Sequence, residues 1–251
     1  MNWVNSFTVI LSDRVINIKK EEDYIVIDSN NLDNLELVVR YYFDLDRDYN
    51  VINEKFKDNF IFKNNIDLCK GYKILKQNPF EMYISYIISQ NNNVKRISAS
   101  INKLCELYGQ KVYFNGKVYF LFPTYEKLKK LKADDLAELK IGFRDKYIID
   151  FLNKYDSFND LDNLSTPDAF NKLLTVKGIG PKVASCILLF GYKRLDVFPI
   201  DTWVKQFVSS RYGVKDDFKT IENLAMNKYG KYSGLAIQYM YHYNRNINEE
   251  K

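Results

Sequence analysis

At 251 residues, 46% hydrophobic and 27% charged, the chain has the composition of a soluble globular protein and is long enough for one large domain or two small ones. Its net charge of +5 fits a nucleic-acid partner without requiring one. Three cysteines set far apart (Cys69, Cys105, Cys186) and a single histidine, His242, exclude a side-chain zinc site of ordinary spacing and a four-cysteine iron–sulfur cluster. With no signal peptide and no apolar run of membrane-spanning length, a cytoplasmic protein without a membrane partner is expected.

Residues 7 to 28 read as three strands, FTVILS, RVINIKK and YIVIDS, rich in β-branched residues and separated by polar turns. From Asn31, the residues Leu32, Leu35, Val38, Val39 and Tyr42 repeat at helical spacing and lead into YFDLDRDY, whose aromatics read as core. Phe80, Tyr83, Ile84, Ile87 and Ile88 predict a helix with one buried face, which Ser89-Gln90-Asn91-Asn92-Asn93 breaks with poor helix formers. A second helix follows, marked by Val94, Ile97, Ile101, Leu104 and Cys105. The Lys-rich stretch beyond reads as a helix with Lys127, Lys129, Lys130 and Lys132 on its solvated face. Gly142-Phe143-Arg144 then forms a turn before a new helix.

The stretch from Ser165 to Val204 carries the chemistry. Thr166 and Pro167 predict the N-cap and first-turn proline of one helix. Gly178 and Gly180 supply freedom for a tight turn whose N–H groups can point at an anion, and Pro181 opens the next helix. Lys182 lies in that helix's first turn, where the positive end of the dipole works against an ammonium and favours a nucleophilic amine. Cys186, four residues on, shares its face. Asp201 has the setting of an N-cap for the helix beginning Thr202-Trp203-Val204. Taken singly, these are a surface lysine and an ordinary capping carboxylate. Together, an amine and a fixed carboxylate can flank one reacting carbon.

The hairpin Val176-Lys177-Gly178-Ile179-Gly180-Pro181-Lys182 and the downstream Pro199-Ile200-Asp201 resemble the signature of the helix-hairpin-helix-GPD superfamily of DNA glycosylases, with the lysine of its bifunctional members at Lys182. Within it, KVASC followed by VFPIDTWV is most similar to the 8-oxoguanine DNA glycosylase/AP lyase family, and the similarity extends from about Phe7 over most of the chain. The resemblance implies an α+β fold, predominantly α. A small, incomplete N-terminal antiparallel sheet with helices would occupy residues 1–62, and a helical glycosylase domain residues 63–251. It further implies a monomer acting on damaged double-stranded DNA with no required cofactor, neither zinc nor iron–sulfur cluster, and allows a monovalent or divalent cation on the hairpin carbonyls.

By the same resemblance, Lys182 and Asp201 are catalytic. Cys186, Tyr241, Pro199 and the position of Ile237 line the base pocket, and Gly178, Gly180, Val183 and Trp203 form the phosphate-binding hairpin region. Asn91 and Arg96 read the base opposite the lesion, while Phe143 and Arg144 fill the gap that an extruded base leaves. Two departures stand out. The family's pocket glutamine falls on Ile237, with Gln238 one residue late, and a one-residue shift turns a helical side chain by roughly 100°. The family's N-terminal lesion-sensing phrase is matched at most by Trp3. The expected function is therefore excision of 8-oxoguanine with strand nicking. An AP lyase or a glycosylase for another lesion on the same scaffold stays open, as does a non-catalytic DNA-binding module.

Overall fold

The computed structural model describes residues 6–59, 61–62, 66–69 and 71–249, with the side chains of Leu68 and 245–249 left aside. Trp3 lies outside the described residues. The chain forms two compact units. The first comprises the chain up to Val39, Gln77–Asn159 and Val176–Gly178; the second comprises Arg40–Lys76, Asp160–Thr175 and the chain from Ile179 onward. Helices predominate, as expected.

In the first unit, β1 (Ser6–Ile10), β2 (Val15–Glu21) and β3 (Tyr24–Ser29) form the antiparallel meander that the β-branched runs predict, in the order β1-β2-β3. Its inner end is anchored by Val15 and Ile16, both fully buried, whereas Phe7, Tyr24 and Ile25 are exposed. The helix predicted from Asn31 is shorter than its pattern: α1 runs Leu35–Tyr42, and Leu32 lies before it in solvent. The next helix, α2 (Tyr49–Phe56), belongs to the second unit and is capped by the Asp48 side chain.

The helix α3 (Pro79–Ser89) carries the predicted stripe, with Phe80, Tyr83, Ile84, Ile87 and Ile88 all buried. Asn78 caps its start. The asparagine run ends it, and Asn93 caps α4 (Val94–Tyr108) by accepting from the Arg96 amide at 3.0 Å. A hairpin, β4 (Lys111–Phe114) and β5 (Lys117–Phe120), follows around Asn115-Gly116, where both residues adopt positive φ, 47° and 70°. That is the two-residue turn matched to strand twist, and KVYF-NG-KVYF spells it out. The single Lys-rich helix does not form. Only α5 (Tyr125–Leu128) is helical before a 3₁₀ segment, Ala133–Leu139, although the four lysines are exposed as expected. The helix α6 (Arg144–Lys154) packs Phe151 flat on Tyr83, with centroids 4.4 Å apart and planes at 18°.

The second unit holds α7 (Thr166–Leu173), α8 (Pro181–Tyr192), α9 (Thr202–Tyr212), α10 (Phe218–Tyr229) and α11 (Ser233–Glu249). Its core is aromatic: Phe56 and Phe62 meet Tyr229 and Tyr239 at 5.6 to 6.2 Å. From Val183 to Leu189, α8 is buried throughout, so its first turn is fixed in place by packing. Tyr42 and Tyr49 of YFDLDRDY are core residues, as read. Between them, Asp44 is buried and bonded by Lys193 (2.7 Å), Arg47 (2.6 Å) and the Tyr49 hydroxyl (2.8 Å). Among the described residues no helix is long and apolar enough to cross a membrane.

Candidate active site

The catalytic candidates all lie in the second unit, each set at a helix start. Ser165, not Thr166, is the N-cap of α7. Its hydroxyl accepts from the Asp168 amide at 3.2 Å, and Thr166 becomes the first helical residue, with its Oγ1 accepting from Arg194 at 3.2 Å. Two hydroxyl residues before a proline cannot be separated by pattern alone, since either can cap. Gly180 stands in the N-cap position of α8 and makes no side-chain cap bond there. Lys182 follows as the second helical residue, half-buried, and Val183 and Cys186 are buried beside it.

The loop between α8 and α9 is held down by its own apolar residues: Val197, Phe198, Pro199 and Ile200 are buried. It delivers Asp201 to the N-cap of α9, where Oδ1 accepts from the Val204 amide at 2.9 Å. The second oxygen is also engaged. Asp201 Oδ2 accepts from the Tyr241 hydroxyl at 2.7 Å. Burial first, then the bond to Asp201, pushes the Tyr241 phenol far above the ordinary tyrosine range, so it remains a donor. The Tyr241 ring lies on Trp203, with centroids 4.2 Å apart and planes at 23°, and Trp203 in turn stacks on Phe207 at 4.9 Å and 19°. Sequence reasoning selected Asp201, Trp203 and Tyr241 separately and missed that they form one cluster. Nothing in a spacing of 40 residues could reveal it.

Ile237, one turn before Tyr241 on α11, is fully buried, while Gln238 is half-buried. The arrangement therefore keeps an apolar side chain in the register where the family's glutamine is expected.

The remaining predicted residues lie in the first unit. Asn91 is exposed in the turn between α3 and α4 with φ at +44°, and Arg96 is exposed on the first turn of α4. Phe143 is 53% exposed immediately before α6. Arg144 behaves differently from its neighbour. It is 7% exposed and turned inward, and it donates to the carbonyls of Gln90 (2.8 Å), Asn91 (3.0 Å) and Ile141 (2.8 Å). Gly178, with φ at +87°, faces the Tyr147 ring: a Cβ at that position would lie 2.3 Å from Tyr147 Cδ2, so both its conformation and its surroundings demand glycine. No group of three or more His, Cys, Asp or Glu side chains able to hold a metal occurs among the described residues.

Comparison with known proteins supplies the family. Residues 84–230 match the model of the HhH-GPD superfamily base excision DNA repair protein, and residues 2–83 that of the 8-oxoguanine DNA glycosylase N-terminal domain. The chain belongs to the HhH-GPD superfamily of base excision DNA repair proteins and, within it, to the 8-oxoguanine DNA glycosylase family. The apo-form 8-oxoguanine glycosylase/lyase of Clostridium acetobutylicum is 35% identical with a TM-score of 0.89, covering 95% of this chain and 85% of that one. Its complex with double-stranded DNA containing cytosine opposite 8-oxoguanine gives a TM-score of 0.90 over 97% of this chain and 86% of that one, also at 35% identity. A protein of Methanothermobacter thermautotrophicus, described as a probable N-glycosylase/DNA lyase, is 27% identical over 84% of this chain and 74% of its own length. The N-glycosylase/DNA lyase of Saccharomyces cerevisiae is 30% identical over 84% of this chain, which spans 59% of that protein.

Proposed function

We propose that this protein is a bifunctional DNA glycosylase and AP lyase that removes 8-oxoguanine from double-stranded DNA as a monomer. The observation that carries the reading is the pairing, in one compact unit, of an amine in the first turn of α8 with a carboxylate capping α9. Family membership and the likeness to glycosylase/lyase structures support it.

In the proposed mechanism, phosphate oxygens rest on amides at the start of α8 and the damaged nucleotide leaves the stack. Asp201 offsets the positive charge that develops on the sugar as the base departs. The Lys182 amine forms a bond to C1′ while the glycosidic bond breaks; its electron pair leaves with the base, which takes up a proton. Loss of a proton from nitrogen and opening of the sugar ring give a Schiff base. Removal of a C2′ proton then breaks the C3′–O bond, which nicks the strand, and water releases the lysine. Cys186, Pro199, Ile237 and Tyr241 surround the base in this reading, and Asn91 and Arg96 read its former partner. No cofactor is required; the hairpin carbonyls leave room for a cation that helps grip phosphate.

Ile237 favours one second reading. Without a glutamine in that register the pocket lacks a donor and acceptor for the base edge, which suits another lesion or a pre-formed abasic site. Borohydride trapping on two duplexes, one with 8-oxoguanine opposite cytosine and one with an abasic site, separates the two. Trapping on both supports the first reading. Trapping on the abasic duplex alone supports the second.

A further inference from the structure

Helix α6 presents Arg144, Tyr147 and Asp150 at successive turns, and each engages a different piece of backbone in the first unit. Arg144 holds the Gln90–Asn91 turn through its guanidinium, which also lies 4.7 Å from the Phe143 ring centroid. Asp150 accepts from the Lys177 amide at 2.8 Å and from Lys154 at 2.9 Å. Burial alone would raise its carboxyl, but these bonds outweigh it and leave the group below the usual range. Between these two residues stands Tyr147, half-buried. One part of its ring fills the space that a Cβ at Gly178 would need. Its edge meets Phe143 at 5.6 Å and 71°. Phe143 is more than half exposed, and both Arg144 and Tyr147 lie against its ring.

We propose that Tyr147 is a positioning residue for strand intrusion: its ring, seated on the Gly178 backbone and in T-shaped contact with Phe143, sets where the intruding aromatic stands relative to the turn that carries Gly178. The inference rests on the glycosylase/lyase reading and adds to it a residue that touches neither lesion nor reacting carbon. The contacts are made by the ring and not the hydroxyl, so phenylalanine should substitute for tyrosine. A duplex substrate needs the aromatic inserted to hold the gap open, whereas an abasic site in a single strand has no stack to fill.

The test compares the full-length protein with Tyr147→Phe, Tyr147→Leu and Tyr147→Ala on an abasic single strand and on duplexes holding 8-oxoguanine or an abasic site opposite cytosine. Nicking of the single strand should stay within twofold of the parent in all three variants. On the duplexes, Tyr147→Phe should also remain within twofold, Tyr147→Ala should lose at least tenfold in kcat/KM, and Tyr147→Leu, which keeps bulk over Gly178 and guards against a folding defect, should fall between. Equal losses on single strand and duplex would reduce Tyr147 to a fold residue and overturn the proposal, as would undiminished duplex activity in Tyr147→Ala. A parent protein inactive on every substrate would instead refute the underlying glycosylase/lyase reading, and this inference with it.

Discussion

Tyr241 and Asp201 are joined by a 2.7 Å hydrogen bond from the phenol to Oδ2, while Oδ1 of the same carboxylate caps α9 and the Tyr241 ring lies on Trp203. The carboxylate is thereby held from both sides. A hydrogen bond to a charged acceptor contributes on the order of 1.5 kcal/mol, so Tyr241→Phe, which keeps the stack, should slow single-turnover excision about tenfold. An excision rate within twofold of the parent would show that the bond does not orient Asp201.

Asp201 caps α9 and, in the proposed mechanism, also supplies the charge; substitution separates the two. Asn caps helices as well as Asp does. Asp201→Asn should therefore melt within about 0.3 kcal/mol of the parent, while excision falls roughly 10²- to 10³-fold. Asp201→Ala should lose stability as well, by about 1 kcal/mol. Full activity in the Asn variant would remove the carboxylate from the mechanism.

Arg96 is exposed and its side chain is not needed for the cap, which Asn93 makes to its backbone amide. Arg96→Ala should leave melting unchanged and narrow the rate difference between cytosine and adenine opposite the lesion by about tenfold, equal to roughly 1.4 kcal/mol of discrimination. Excision assays on both pairs give the result directly; an unchanged ratio would exclude Arg96 from reading the opposite base.

The buried Asp44 predicts an acid-sensitive fold. Burial pushes its carboxyl up, but bonds from Lys193, Arg47 and Tyr49 outweigh it and hold it below the usual range. A carboxylate depressed in the folded state adds stability above its unfolded pKa of about 4, and that stability is lost as pH falls through the folded value. Between about pH 5 and pH 3 the parent should lose stability more steeply than Asp44→Asn. At neutral pH, Lys193→Met should cost about 2 kcal/mol, because Asp44 keeps two of its three partners. Chemical denaturation across this pH range checks both, and parallel curves for parent and Asp44→Asn would contradict the assignment.

Much of the fold is legible in the sequence because period and punctuation agree. The strands around Val15 and Ile16, the α3 stripe and the asparagine break all follow from local pattern. The β4–β5 hairpin was equally legible, since KVYF-NG-KVYF states both the strands and the turn, yet lysine content draws attention away from it. The Lys-rich helix failed for the opposite reason: Leu128, Leu136 and Leu139 are buried at spacings that one continuous helix could bring to one face, yet the chain breaks after Leu128 and restarts as a 3₁₀ segment whose Asp135 carboxylate accepts from the Lys132 amide, a break that period alone does not show. At the candidate site, local signals singled out Lys182 and Asp201, and the family resemblance added Tyr241. The phenol–carboxylate bond, the inward turn of Arg144 and the seat of Tyr147 on Gly178 depend on segments brought together only by folding, and no local spacing encodes them.

The most direct test of the account compares the parent with Lys182→Gln for borohydride trapping on an abasic duplex, with binding to the same duplex measured in parallel. The account predicts a covalent adduct for the parent and none for Lys182→Gln, with binding within about threefold, a difference under about 0.7 kcal/mol. Equal trapping by Lys182→Gln would move the Schiff base to another amine and contradict the central assignment.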